Sequence, residues 1–256
     1  MTSEMLYRVD GGIATVVMNR PERRNAFNLA MLEALSMILD QLGSLPDVRV
    51  VILRGEGTVF CSGVDLRELS SRPDIPDIEG FLISVFRKLE RLRQPTIAMI
   101  HGDALAAGCE LALHCDLRVV SEAARFSIPV ARLGFLLPFG FAQKLVEIVG
   151  PAFAKQILFT GQPISAKRAY EIGMIHQIVA PDKIEAAGYD MARTIAENAP
   201  LSLAGFKVMI QRAVSLQETI DHVDIDEMVK RSQTSADAME GVTAMLEKRK
   251  PVFRGE

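Results

Sequence analysis

Glu110 stands among small and apolar residues in the stretch HGDALAAGCELALHCDLRVV, His101–Val120. Beside Leu111, Ala112 and Leu113 the charged form of a carboxylate is disfavoured, which lifts its proton affinity toward the range useful for proton transfer. Just upstream, Ala104, Ala106, Ala107 and Gly108 keep side-chain bulk low, so a ligand can approach the backbone. A helix starting here has first amides without intrahelical acceptors, which makes them donors for a developing negative charge. The stretch VFCSGVDL, Val59–Leu66, has the same character, with Ser62 and Gly63 leaving amides accessible. One amide from each stretch makes a two-donor oxyanion hole, in which a donor is worth on the order of 3–4 kcal/mol of transition-state stabilisation.

Both stretches follow predicted strands. Leu6–Val9 and Ile13–Met18 read as two strands joined by Asp10-Gly11-Gly12, and apolar residues at helical spacing predict a helix from Asn28 to about Leu42, ended by Gly43. The run VRVVILRG is a buried strand, a helix over about 78–92 precedes the strand TIAMIHG, and LRVV follows a short helix near Gly108. Strands separated by helices predict a parallel sheet with right-handed crossovers. After about Ala180 the pattern is nearly all helix: 182–197, 201–214, 215–230 and 235–248.

The chain has 256 residues and is 49% hydrophobic, enough for a large core, while a formal net charge of −3 without long charged runs argues against a nucleic-acid or membrane-surface protein. The N-terminus lacks the pattern of a secretion signal, and no apolar run reaches the ~18 residues of a membrane span. Three sparse cysteines fit reduced thiols, so a cytoplasmic location is expected.

With these residues in place, the sequence resembles the enoyl-CoA hydratase/isomerase (crotonase) superfamily over nearly its whole length. FCSGVDL is similar to that superfamily's oxyanion loop, and HGDALAAGCELALHCD to its glutamate-bearing loop. NRPERRNAF (Asn19–Phe27) looks like the CoA-contacting segment; FTGQPISAKRAYEIGMIHQIV and the terminal MLEKRKPVF look like further landmarks. The resemblance implies an α/β spiral of ββα turns over residues 1–195 and a helical trimerisation region over 196–256, as a homotrimer or dimer of trimers. It implies an acyl-CoA thioester substrate, with CoA as part of the substrate and no separate cofactor or metal. The thioester oxygen would sit between the amides of Ser62 and Ala107, with Glu110 as acid/base. Arg23, Arg24, Ala26, Cys61, Val64, Asp65 and Lys248 would contact CoA, Lys248 from a neighbouring subunit.

The sequence also departs from the family pattern. Where the hydratases carry a second glutamate, FSIPVARLG places Val130, followed by Ala131. A positioned acid or base is worth roughly 10²–10⁴ in rate, so a catalytically weak acyl-CoA-binding protein and another enolate reaction, such as C–C cleavage, stand as alternatives. Decarboxylating relatives place a tyrosine near Phe139 and a histidine near Val64, and neither is present. Phe135, Leu136, Leu137, Phe139 and Phe141 are candidates for an apolar acyl pocket; Asp74, Asp77 and Glu79 are candidates for a substitute carboxylate. His114, with Cys109 and Cys115, matches no zinc spacing and reads as a packed core histidine. Asp65 reads as a loop brace, and His101 and Asp103 as turn residues. Ser62 lacks the context of a serine hydrolase nucleophile.

Overall fold

The computed structural model describes residues 3–67, 78–214 and 223–254. β1 (Met5–Asp10) and β2 (Ile13–Met18) form an antiparallel hairpin in which Asp10 pairs with Ile13. Its two-residue turn needs positive φ at both positions, and Gly11 and Gly12 supply 53° and 81°. From β2 the sheet continues in parallel through β3 (Val50–Gly55), β4 (Thr96–Ile100), β6 (Leu117–Ser121) and β9 (Gln177–Val179), in the order β1-β2-β3-β4-β6-β9.

Both faces of this sheet are covered, which is why its strands read as continuous apolar runs. Val51 and Leu53 face the main core, with α1 (Leu29–Ser44), α2 (Ile78–Glu90) and α3 (Ala107–His114). Val50, Ile52, Ile97, Met99 and Val119 face the other side, against Ala192 of α6 (Ile184–Ala196). Asn28 caps α1 by accepting from the Met31 amide at 2.7 Å. The helix runs through Gly43 to Ser44, so that glycine does not end it.

A second, three-stranded sheet joins β5 (Ala104–Leu105), β7 (Arg125–Ser127) and β8 (Ile164–Ser165). Its register brings successive turns of the chain together: a bridge pairs Cys61 with Ala104, and Ala104 pairs with Phe126. The residues after Cys61, after Ala104 and after Phe126 therefore run side by side at one end of the spiral. This is the ββα repeat, a strand in the large sheet, a short strand in the small one, then a helix.

α4 (Phe139–Thr160) bends at Gly150-Pro151, and α5 (Ala166–Glu171) follows β8. The C-terminal region is helical: α7 (Pro200–Val214), α8 (Val223–Gln233) and α9 (Ala236–Leu246), with 215–222 of the helix expected at 215–230 lying outside the described residues. The α9 helix packs on the turn Val130–Leu133, so closely that a Cβ on Gly241 would stand 2.4 Å from the Leu133 carbonyl oxygen. Lys207 pins α7 to the core: its buried Nζ donates to Asp116 at 2.7 Å and to the Gln94 carbonyl at 3.2 Å. Removing one partner of a buried ion pair costs about 3 kcal/mol. Lys207→Met is therefore expected to lower the unfolding free energy by about that amount, measurable by urea denaturation; an unchanged midpoint would show that the pin carries no load.

Candidate active site

The loop Cys61–Asp65 is held from below by the segment Arg20–Phe27. The Phe27 amide donates to the Gly63 carbonyl at 2.7 Å, and the Asp65 amide to the Phe27 carbonyl at 2.8 Å. Arg20 bridges to Asp65 at 3.0 Å, which makes Asp65 a brace for the loop. Asn25, buried and at φ 54°, donates through Nδ2 to the carbonyls of Glu56 and Val59 at 2.8 Å. Cys61 is fully buried, its Sγ 3.1 Å from the Asn25 carbonyl, and burial pushes its thiol up to about 12. It is an inert part of the packing.

Ala106 opens α3 at φ 49°, ψ −123°, a conformation that costs an L residue about 1–3 kcal/mol. It is fixed by its own amide, which donates to the Ser127 carbonyl at 2.7 Å, and the peptide that follows turns the Ala107 amide out of the helix without an acceptor among the described residues. The two loops touch. A Cβ on Gly63 (φ 101°) would stand 2.9 Å from the Ala106 Cβ and 3.4 Å from the Ala107 nitrogen; one on Gly108 would stand 2.3 Å from the Cys61 carbonyl oxygen.

The expectation for Ser62 needs correction. Its amide donates to the Arg24 carbonyl at 3.1 Å, so that N–H is already engaged. The parallel bridge between Phe27 and Val64 uses the Gly63 carbonyl and the Asp65 amide on either side, which leaves the Val64 amide pointing away without an acceptor among the described residues. Loop composition could not separate these neighbours; only the alternation of hydrogen bonds along the Arg24–Phe27 edge does.

Glu110 lies in the first turn of α3, fully buried, and neither carboxylate oxygen has a hydrogen-bond partner among the described residues. Burial raises its proton affinity well above the ordinary range, opposed by the positive charge of Lys144. Burial therefore favours its protonated form. The far end of α3 is fixed by two groups. His114 donates from Nδ1 to the Glu110 carbonyl at 2.8 Å, its ring packed against Phe86 and Phe141, and burial lowers its pKa to about 4. Arg118, buried, caps the last turn through the carbonyls of Ala112 (3.1 Å) and Cys115 (2.7 Å). Sequence reasoning passed over Arg118; its signal was a cation inside a strand whose neighbours are all apolar.

Arg23 and Arg24 are exposed at the rim, Ala26 is buried beneath it, and Val64 is half-buried on it. Lys248 is exposed just past the end of α9, the helix that packs on the Val130–Leu133 turn. Val130 begins that turn, one spiral repeat beyond Glu110, and packs against the core. Glu79 accepts a hydrogen bond from Gln233, and Asp74 and Asp77 lie outside the described residues. Asp103 pairs with Arg125. The apolar run expected to wall one pocket divides: Phe135 and Leu136 border a groove with Met228 and Phe253, whereas Phe141 borders a separate cavity with His114. Among the described residues no group of His, Cys, Asp and Glu is arranged to hold a metal, and no helix is long and apolar enough to cross a membrane.

A family model described as Enoyl-CoA hydratase/isomerase matches residues 8–256. The chain belongs to the enoyl-CoA hydratase/isomerase family. It is 33% identical over 251 residues to the short-chain-enoyl-CoA hydratase of Clostridium acetobutylicum, covering 97% of this chain and 96% of that one. It is also 33% identical over 264 residues to the 1,2-epoxyphenylacetyl-CoA isomerase of Escherichia coli, covering 100% of both. Among solved structures, methylmalonyl-CoA decarboxylase in complex with 2-nitronate-propionyl-CoA superposes with a TM-score of 0.92 at 27% identity, over 100% of both chains. The fold is that of the crotonase superfamily, with the helical C-terminal region in place.

Proposed function

We propose that this member of the family is an enoyl-CoA hydratase/isomerase-type lyase acting on an acyl-CoA thioester. The observation that carries the reading is the pair of amides without acceptors among the described residues, Val64 and Ala107, on two loops in contact, with a buried carboxyl one helical turn beyond. The amides receive the thioester oxygen as negative charge develops on it during enolate formation. As water adds to the β-carbon and the enolate forms, Glu110, whose burial favours the protonated form, gives its proton to the α-carbon, and the carboxylate that results takes up the proton the water gives up. Arg23, Arg24 and Lys248 supply cations for the CoA phosphates, Lys248 from a second subunit; CoA enters as part of the substrate, and no other cofactor is invoked.

The uncovered apolar face of α7, with Leu201, Phe206, Met209 and Ile210 exposed, supports association into a trimer or a dimer of trimers. Val130 supplies no second acid or base, and among the described residues Glu110 is the one buried carboxyl beside the two amides. Crotonyl-CoA is expected to turn over to the 3-hydroxyacyl thioester, followed as loss of the conjugated-thioester absorbance. Binding without turnover across enoyl, dienoyl and malonyl-type thioesters would replace this reading with that of a carrier protein.

Decarboxylation is the second reading, favoured by the close superposition on methylmalonyl-CoA decarboxylase. It has Phe139 and Val64 where a tyrosine and a histidine would support it. Release of CO₂ from methylmalonyl-CoA, with no hydration of crotonyl-CoA, would favour it.

A further inference from the structure

The direction of the Val64 amide is set by register. The loop Cys61–Asp65 lies along the segment 24–27, and successive residues of an extended chain turn their amides to opposite sides. The Ser62 amide donates to Arg24, the Phe27 amide to Gly63, and the Asp65 amide to Phe27, so the Val64 amide faces away. A slip of one residue would turn the Val64 N–H into that edge. The edge and the loop must be held in step.

Asn25 has the contacts to hold them. Its side chain is fully buried, and its Nδ2 donates to the carbonyls of Glu56 and Val59 at 2.8 Å and of Phe60 at 3.2 Å. Those three residues lie on the stretch by which the chain leaves β3 and enters the loop. The Asn25 Oδ1 accepts from the Arg20 amide at 2.9 Å, and its own amide donates to the Arg20 carbonyl at 2.9 Å. Its carbonyl accepts from the Cys61 thiol at 3.1 Å. One residue thus ties the 20–25 turn to the chain just upstream of Val64. Residue 55 is glycine where the carboxamide passes: a Cβ there would stand 2.8 Å from Nδ2. Arg24 and Asn25 both hold φ 54°, and asparagine is at ease in that left-handed region where most side chains are not.

We infer that Asn25 is a positioning residue for the oxyanion donor: its carboxamide fixes the register of the 24–27 edge and so aims the Val64 amide. This inference rests on the acyl-CoA reading above. Asn25 is fully buried, so it acts through the loop and not on the substrate.

The test reads the thioester carbonyl itself. In a Glu110→Gln background, bound crotonyl-CoA persists long enough for its infrared spectrum, and donors at the carbonyl oxygen lower the stretching frequency below that of the free thioester. Asn25→Gly keeps the left-handed backbone and removes the carboxamide; Asn25→Asp keeps the shape and sets an acceptor where three carbonyls need a donor. Both are expected to lose part of the shift, Asp more than Gly, with the Ala107 amide keeping the remainder. With Glu110 intact, kcat for crotonyl-CoA falls by up to about 10²-fold, the cost of misplacing a group by about 1 Å. Exchanging the Val64 amide for an ester removes the same part of the shift, and adding Asn25→Gly then changes nothing further. The spectrum reports only protein that has folded and bound, so lost stability does not imitate the result. Variants that melt earlier while the bound carbonyl keeps its full shift overturn the inference, because Asn25 would then support the fold alone. Effects that add to those of the ester also overturn it, as does a variant that binds no thioester at saturating concentration. A carbonyl without any shift in the Glu110→Gln protein itself overturns the acyl-CoA reading, and the inference with it.

Discussion

Glu110→Gln is expected to reduce crotonyl-CoA turnover by about 10²–10⁴-fold, the usual worth of a positioned acid or base. The loss should fall on kcat, because the thioester oxygen is held by backbone amides that the substitution leaves intact. The same variant has a second signature in stability. In the unfolded chain Glu110 ionises around its ordinary value of 4.5, whereas in the folded chain burial keeps it neutral to a much higher pH. Between those two values the folded state holds a proton that the unfolded state has lost, so this residue makes folding less favourable as pH rises above about 4.5. Gln does not titrate, so the melting temperature of the variant relative to wild type should climb from acid toward neutral pH. A difference that stays flat over that range would mean that the carboxyl is not held neutral, and its role as proton donor would go with it.

The sequence carried more of the fold than of the site. Apolar runs covered on both faces are unmistakable, and so the parallel strands at 50–55, 96–100 and 117–121 were legible, as was the helical character of the C-terminal region. The small sheet was not read from the pattern, because strands of two or three residues leave no periodicity; only the family resemblance implied it. Yet this sheet aligns Cys61 with Ala104 and so brings the two loops together. Within the site, the burial of Glu110 followed directly from its apolar neighbours, since a helix that is apolar all round has nowhere to expose one polar residue. The choice of donor did not follow. Small residues mark a loop where backbone can be approached, but amides alternate in direction along an extended segment, and a one-residue error points the N–H at the neighbouring strand. That is the error made at Ser62, whose amide is engaged by the Arg24 carbonyl.

Deleting the amide hydrogen of Val64 by an amide-to-ester exchange is expected to lower kcat by about 10²–10³-fold, whereas the same exchange at Ser62 is expected to spare kcat and lower stability. The reasoning rests on what each N–H faces. At Ser62 it donates to Arg24, so its loss leaves a carbonyl short of a donor at the rim, a cost of about 1 kcal/mol. At Val64 it has no acceptor among the described residues, so its loss costs folding little and removes a donor where charge develops. A genetic route reaches the same point: Gly63→Ala places a Cβ 2.9 Å from Ala106 and asks alanine to hold φ 101°. The strain pushes the loops apart and misdirects both amides, so turnover should fall with thioester binding largely kept. Gly108→Ala drives the same separation from the other loop, against the Cys61 carbonyl. Should the ester at Ser62 prove the damaging one, the oxyanion pair would be Ser62 and Ala107, and the hydrogen bond to Arg24 would have to break whenever substrate binds.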